Sequence, residues 1–281
     1  MQRPHHTGSV TPADLHRPAA GLARFVEQVS VTRATAAPTP IERLPDGTAS
    51  LVLRARGSAR CELFVVGPRT RALFKRPAPA DLAISIRFRP GQVGRVLGVP
   101  AGELTDLVLF VDQLWGDQGT RLVDALSAAA PPARLELLQQ ALVARAGQSH
   151  EPPAATLARR AVGLLIDCGG AARIGAIAAQ LGITPRHLRR VFVATVGVGP
   201  KEYARMVRLQ RAVRSDGAPS GWAATAAALG YTDQSHLIAE FRALVGMTPL
   251  EFARRDRAPE VEAAPGPMLA TPQRLAAGRR G

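Results

Sequence analysis

Three arginines, Arg186, Arg189 and Arg190, lie within five consecutive positions of this chain. Leu188 and Phe192, four residues apart, mark the buried face of a helix there, and the arginines point the other way. Each guanidinium offers a fork of N–H donors that can pair with O6 and N7 of guanine or with a phosphate. The pattern is therefore suited to duplex nucleic acid, although an arginine-rich face is equally typical of a helix side that is only solvated.

The segment around these arginines has the pattern of a helix, a turn and a second helix. Apolar residues recur at helical spacing on both sides of an interruption at Gly182-Ile183. Thr184 is a good N-cap for the second helix, and Pro185 suits the first helical position, where a missing N–H costs nothing. We therefore predict that the second helix presents its arginines in a geometry that fits the major groove.

The same pattern occurs twice in the chain. HLRRVFVATVGVGPKEYAR (187–205) aligns with HLIAEFRALVGMTPLEFAR (236–254) at an offset of 49, and GAIAAQLG (175–182) aligns with AATAAALG (223–230) at an offset of 48. Each copy of such a repeat is one structural unit. A helix is predicted between the copies, so the sequence indicates paired helix-turn-helix units.

The ordered motifs LGITPRHLRRVF, GVGPKEY, RLQRA, GYTDQSHL and VGMTPLEF resemble the AraC/XylS family of bacterial transcription regulators. The resemblance covers roughly residues 155–255. It implies a sequence-specific regulator whose two recognition helices enter successive major grooves of duplex DNA, about 34 Å apart. It also implies RNA polymerase as a partner, and it leaves room for a small-molecule effector and a homodimer.

The residues predicted to contact DNA come from both recognition helices. In the first helix they are Thr184, Pro185, Arg186, Arg189 and Arg190, and in the second they are Asp233, Gln234, Ser235, Ile238 and Ala239. Candidate phosphate contacts are His187, His236 and Lys201, with packing the slightly favoured alternative for the histidines. The helices are not equivalent, because Ile238 can only touch a thymine methyl and Ala239 stands where the family commonly carries arginine.

The chain as a whole is predicted to be an α+β protein with two domains. Residues 21–146 contain short β-type runs, FVEQVSVTRA, SLVLRA, CELFVVG and LAISIRF, separated by turn signals such as PDG and followed by helical segments. We predict a β-rich sensor or dimerisation domain with helices at its end, for which the family resemblance suggests a cupin-like barrel. The turns PDG and FRPG, with ELTD after them, also resemble an uncharacterised N-terminal domain in one branch of the family.

The remaining segments are predicted to connect or flank these domains. Residues 1–20 and 257–281 are predicted to be disordered, residues 147–153 form a linker, and the double helix-turn-helix domain spans 154–256. The adjacent His5 and His6 are interpreted as incidental rather than as metal ligands. The helix at 133–146 could pair two subunits, but packing on its own sheet is favoured.

The formal net charge of the chain is +14, and residues 154–255 contribute +8 of it. Positive charge around the repeat fits a phosphate-backbone partner. Arginine is abundant together with Ala, Gly and Pro, as in a GC-rich genome, so bulk charge is weaker evidence than the repeat. No apolar run is long enough to span a bilayer and no signal-peptide core is present, so we expect a cytoplasmic protein without a membrane partner.

Two other functions compete with DNA-binding regulation. A DNA-targeted enzyme of the alkyl-transfer repair type needs a positioned reactive cysteine, and Cys61 has no Cys or His pattern near it. A helical protein-interaction scaffold would show no steep salt dependence with duplex DNA.

The acidic group Asp106, Asp112 and Asp117, near Trp115, could serve acid–base chemistry, but helix caps or surface positions are favoured. Cys61 and Cys168 show no ligand spacing. We therefore predict no catalytic site, cofactor, metal or disulfide.

Overall fold

The computed structural model describes residues 14–33, 41–57, 60–75, 79–148, 153–215 and 221–255. Eight strands are described: β1 (Asp14–His16), β2 (Val26–Arg33), β3 (Ile41–Arg43), β4 (Ser50–Ala55), β5 (Glu62–Val66), β6 (Leu73–Lys75), β7 (Leu82–Phe88) and β8 (Val108–Phe110). Six of them form an antiparallel sheet in the order β1-β2-β7-β4-β5-β8, and β3 pairs with β6 in a separate two-stranded ribbon.

The strands form where hydrophobic residues alternate with polar ones. In the central strand β7, every second residue from Leu82 to Phe88 is buried and those between are half-buried, as the alternation of LAISIRF predicts. Ile84 lies opposite Val31 of β2 and Leu53 of β4, and all three side chains are buried. One face of the sheet therefore forms the wall of the N-terminal core.

Four helices cover that core: α1 (Val93–Leu97), α2 (Val111–Trp115), α3 (Asp117–Ala128) and α4 (Arg134–Gln148). Leu138 and Leu142 of α4 are fully buried in the same cluster as the strand residues. The prediction that this helix packs on its own domain is thus confirmed, while Val143 on the same stripe is left partly exposed.

Two boundaries predicted for this part of the chain are corrected. Residues 14–16 form β1, which pairs with β2 although the sequence predicts disorder up to residue 20; three exposed residues, of which only Leu15 is apolar, give no alternation to detect. The β-rich character predicted for this domain is confirmed, because the described strands form one six-stranded sheet, with β1 and β8 as its outermost strands, and a separate ribbon. α4 continues to Gln148, so residues 147 and 148, which the sequence assigns to the linker, are helical. His5, His6 and the predicted C-terminal tail lie outside the described residues.

The C-terminal region is helical throughout its described ranges. Its helices are α5 (Pro153–Asp167), α6 (Ile174–Gln180), α7 (Pro185–Val196), α8 (Pro200–Arg214), α9 (Gly221–Ala228), α10 (Gln234–Val245) and α11 (Pro249–Arg255). Helices α6 and α7 form the first helix-turn-helix unit, α9 and α10 form the second, and α8 lies between them. The predicted pair of units is therefore present.

A pair of glycines ends α5 and lets it approach α8 closely. Gly169 and Gly170 both have positive φ, +62° and +77°, which side chains rarely adopt. A Cβ atom on Gly170 would also overlap the carbonyl oxygen of Ala204 in α8. The turn is consequently a point of backbone contact between the first helix of the domain and the helix that joins the two units.

Candidate nucleic-acid interface

The first recognition helix, α7, begins and packs as its sequence predicts. The Thr184 hydroxyl accepts a hydrogen bond from the backbone N–H of His187 at 3.2 Å, and Pro185 occupies the first turn. Leu188 and Phe192 are fully buried. These anchors fix which side of α7 faces outward.

The outward side of α7 carries the three predicted guanidiniums. Arg186, Arg189 and Arg190 are all exposed. Nη2 of Arg190 lies 3.2 Å from Nδ1 of His187, so that half-buried histidine contacts a neighbouring arginine on its own helix. Exposed cations beside the positive end of a helix dipole give this surface a strong attraction for phosphate.

The second recognition helix, α10, also has a capped N-terminus. A carboxylate oxygen of Asp233 accepts a hydrogen bond from the backbone N–H of His236 at 2.8 Å. Gln234, Ser235 and Ala239 are exposed, whereas Ile238 is half-buried against a small hydrophobic cluster. Only part of the Ile238 side chain therefore faces outward.

The remaining candidate phosphate contacts lie at the edges of this surface. The exposed ring of His236 packs edge-on against Tyr231, with ring centroids 5.4 Å apart, and its Nδ1 lies 3.3 Å from the hydroxyl of Thr232. Lys201 is exposed in the first turn of α8. The structure thus gives both histidines protein contacts while leaving Lys201 open to solvent.

A buried ion-pair cluster behind α10 was not predicted from the sequence. The carboxylate of Glu240 accepts hydrogen bonds from Nε of Arg205 at 3.0 Å and from Nη2 of Arg208 at 2.9 Å. Burial, and next the nearby Glu240 carboxylate, raise the pKa of Tyr231 to about 12. The repeat did contain a signal for this cluster, because Glu240 aligns with Val191, a buried apolar residue of the first unit.

The N-terminal domain contacts the opposite ends of both recognition helices. The Thr105 hydroxyl donates to the carbonyl of Gly197, just beyond α7, at 2.6 Å. The backbone N–H of Ala72 donates to the carbonyl of Leu244 in α10 at 2.7 Å. Because these contacts lie at the C-terminal ends, they do not cover the residues at the N-terminal ends that are predicted to reach DNA.

The PDG turn, at residues 45–47, contacts α8. The amide of Gln210 donates to the carbonyl of Pro45 at 3.2 Å. Gly47 has φ +68°, and a Cβ atom there would lie 2.7 Å from the ring of Tyr203. Burial, and next Asp46, raise the pKa of the Tyr203 hydroxyl well above its usual value. A turn that the sequence marks as a boundary between strands is therefore also part of the interface between the domains.

The competing sites of the N-terminal domain have structural roles. Asp106 accepts hydrogen bonds from the backbone and hydroxyl of Thr70, and Asp112 and Asp117 lie in the first turns of α2 and α3. Trp115 donates from its ring N–H to the carbonyl of Leu97 at 2.9 Å. The prediction of caps or surface positions is confirmed for this group.

Both cysteines are free thiols. Cys61 is buried and its sulfur lies 3.7 Å from the carbonyl of Leu126, so it offers no accessible nucleophile. Cys168 is half-buried. Among the described residues, no three His, Cys, Asp or Glu side chains are grouped as a metal site would require, and none of the described helices has the length and apolar character to cross a membrane.

Comparison with known protein families gives one match in each of the two regions described above. Residues 177–255 match a family described as a helix-turn-helix domain, and residues 14–110 match a domain of unknown function, DUF6597. No curated protein matches the chain.

Solved structures of ToxT from Vibrio cholerae are distantly similar to the chain. ToxT from strain O395 is 10% identical, with 82% of this chain and 97% of that chain covered and a TM-score of 0.39. Wild-type ToxT from strain SCE256 with a bound unsaturated fatty acid is 10% identical, with coverage of 90% and 97% and a TM-score of 0.37.

The helix-turn-helix match begins in α6 and ends with α11, and it includes both recognition helices. The DUF6597 match ends with β8 and includes the sheet and the ribbon. The C-terminal region of the chain is therefore similar to a helix-turn-helix domain, and the region before it is similar to the DUF6597 domain of unknown function.

Proposed function

We propose that this protein is a transcription regulator of the AraC family that recognises a specific duplex sequence by inserting the N-terminal halves of α7 and α10 into successive major grooves. The observation that carries the proposal is the shared geometry of the two helices. Each begins at a side-chain cap, Thr184 or Asp233, and each presents an exposed first turn at the positions that the repeat predicts. A capped, exposed helix start is the part of such motifs that reaches base edges.

In this proposal the first unit is the stronger reader of sequence. Arg186, Arg189 and Arg190 can each pair bidentately with guanine or bind a phosphate. In the second unit, Gln234 can pair with adenine N6 and N7, and Ser235 is a less selective donor and acceptor. We expect the first half-site to be more sharply specified than the second.

Other predicted contacts position the helices rather than read bases. Thr184 and Asp233 are already engaged as helix caps, so their side chains have less capacity left for DNA. Pro185, Ile238 and Ala239 offer no hydrogen-bond donor and contribute shape and apolar contact. His187, His236 and Lys201 are assigned to phosphates on either side of the grooves.

The helix between the units favours bent DNA. α8 has 15 residues and is about 22 Å long, which is shorter than the repeat of the major groove at roughly 34 Å. If α8 holds the units rigidly, the duplex bends toward the protein, at a cost on the order of 1–6 kcal/mol.

We assign sensing or dimerisation to the N-terminal domain. Its contacts with Gly197, Leu244 and Gln210 would transmit a change in that domain to both recognition helices and to α8. A small-molecule effector, a homodimer and RNA polymerase as a partner are predictions that rest on the resemblance to the AraC/XylS family, and a cytoplasmic location is a prediction from the sequence.

The proposal is tested with the full chain and a pool of randomised duplexes. We expect selection of a two-part site, and log K for that site should fall with log salt by about 0.9 per phosphate neutralised. A variant with Arg186, Arg189 and Arg190 all changed to Ala keeps the fold-determining Leu188 and should lose selection of the first half-site. Failure of the folded wild-type chain to enrich any duplex would contradict the proposal and favour the scaffold.

A further inference from the structure

The second recognition helix is tied to α8 by charge rather than by apolar contact alone. Glu240 is a buried residue, and both of its carboxylate oxygens lie within hydrogen-bonding distance of Nη2 of Arg208, at 2.9 and 3.3 Å. Arg205, one turn earlier on α8, donates to the same carboxylate at 3.0 Å. One acidic side chain of α10 therefore holds two arginines of the helix that joins the units.

Arg208 extends this connection to the turn that ends α5, a helix that shares a core with α6 and α7 of the first unit. Its Nη1 donates to the carbonyl of Gly170 at 2.9 Å, in the glycine turn that ends α5. The same guanidinium lies 5.2 Å from the ring centroid of Tyr231, between α9 and α10. The planar guanidinium of Arg208 thus contacts three groups: the turn that ends α5, the ring of Tyr231 and the carboxylate of Glu240.

In the first unit, the position that corresponds to Glu240 is occupied by an apolar residue. Val191 occupies the position that aligns with Glu240, and it is buried among apolar residues. Well-packed apolar residues often stabilise a protein as well as a buried ion pair does, so stability alone gives no reason for the charge. A fork of directional hydrogen bonds does differ from apolar contact in one respect, since it restricts the relative orientation of the groups that it joins.

We infer that Glu240 and Arg208 are positioning residues that set the orientation of the second recognition helix relative to the first unit, and thereby the half-site separation that the protein accepts. This inference rests on the proposed binding of two half-sites. The second unit has fewer base-reading donors than the first, and it is the unit that the ion-pair cluster holds. Its main contribution to recognition is therefore to fix the spacing of the half-sites.

The test measures tolerance of half-site spacing by the full chain. The probe is a duplex that the wild-type protein selects from a randomised pool, together with two derivatives that have one base pair inserted or removed between the half-sites. One base pair moves the second groove by about 3.4 Å along the axis and about 35° around it. We expect wild-type protein to bind each derivative at least about tenfold more weakly, comparable to the loss of one good base contact.

Two variants loosen the cluster in different ways. Glu240→Gln keeps the shape of the side chain and one acceptor oxygen but removes the charge, and Arg208→Lys keeps the charge but loses the fork that reaches Glu240 and Gly170 together. In either variant, the loss of affinity caused by inserting or removing one base pair should shrink from about tenfold to less than about threefold. The affinity of each variant for the selected duplex itself should change less than this. Glu202→Gln, the same chemical change in the first turn of α8, is the matched control and should keep the wild-type profile.

The outcomes separate this inference from the proposed function. If wild-type protein selects no duplex, both fail. If it selects a two-part site and both variants keep the wild-type spacing penalty, Glu240 and Arg208 have only a structural role and this inference alone is overturned. Circular dichroism monitors folding, and the conservative Arg208→Lys carries the test if Glu240→Gln does not fold.

Discussion

The two helix-turn-helix units have similar sequences but are completed by different parts of the chain. The apolar core of the first unit lies within its own domain, where Leu188 and Phe192 of α7 share it with residues of α5, α6 and α8; the contact of Thr105 with Gly197 lies outside that core. The second unit divides its apolar residues between two smaller clusters, and Leu44 and Phe74 of the N-terminal domain pack against one of them. Only the apolar core of the second copy therefore includes residues of the N-terminal domain.

The units also place their charges on opposite sides of the recognition helix. α7 carries Arg189 and Arg190 outward and Val191 inward, whereas α10 carries Ala239 outward and Glu240 inward. Charge on the outer side can contact DNA, while charge on the inner side can only contact protein. The difference suggests that the first unit contributes mainly recognition and the second mainly geometry.

The largest expected effect is loss of the self-contained core of the first unit. Phe192→Ala removes a fully buried ring and should lower the free energy of unfolding by about 3–5 kcal/mol. Phe241→Ala at the aligned position should cost a similar amount and also weaken the contact between Ala72 and Leu244. Denaturant unfolding measures the first effect and amide exchange at Ala72 the second. Equal amide exchange at Ala72 in the two variants would show that the contact of Ala72 depends on both units to the same degree.

Recognition by the first unit gives the next effect in size. Arg189→Ala should cost about 1–3 kcal/mol of binding and relax specificity at one base pair, because a bidentate donor is lost. Ile238→Ala removes only part of an apolar side chain and should cost less. Affinities across duplexes with each half-site randomised in turn measure both variants. A larger loss for Ile238→Ala would reverse the assignment and make the first unit a backbone clamp.

The dependence of the second unit on the ribbon predicts a smaller, local effect. Phe74 is half-buried against that unit and lies 4.2 Å below the guanidinium of Arg255. Phe74→Ala should cost about 1–2 kcal/mol and increase amide exchange in α10 and α11 more than in α7. Phe64→Ala, a half-buried ring that packs on Phe110, is the control and should leave α10 unchanged. Equal loosening of both units would contradict the comparison.

Removal of a helix cap should give the smallest loss of stability. The loss should also be similar in the two units. Thr184→Ala and Asp233→Ala each remove a side-chain acceptor from a helix start and should cost about 1 kcal/mol of stability. The loss at Asp233 should be the larger, because its carboxylate also interacts with the helix dipole. Thermal unfolding of the two variants measures both, with Thr184→Ser and Asp233→Asn as controls that keep a capping acceptor.

The sequence predicted features that are encoded locally. SLVLRA and LAISIRF match β4 and β7 at both ends, because alternation of buried and half-buried residues is a property of neighbouring positions. Thr184 and Asp233 mark helix starts in the same way, since a cap bonds within its own turn. β1, β3, β6 and β8 were missed, as three-residue strands are too short to show alternation.

Tertiary structure alone decided which local features meet. The pairing of Glu240 with Arg208 joins residues 32 apart in the chain, and the contact of Gln210 with Pro45 joins residues 165 apart. The alignment of Glu240 with Val191 marked an unusual position but named no partner. No pattern among neighbouring residues specifies such contacts, because they form only when separate elements pack and a buried charge must find a counter-charge within hydrogen-bonding distance.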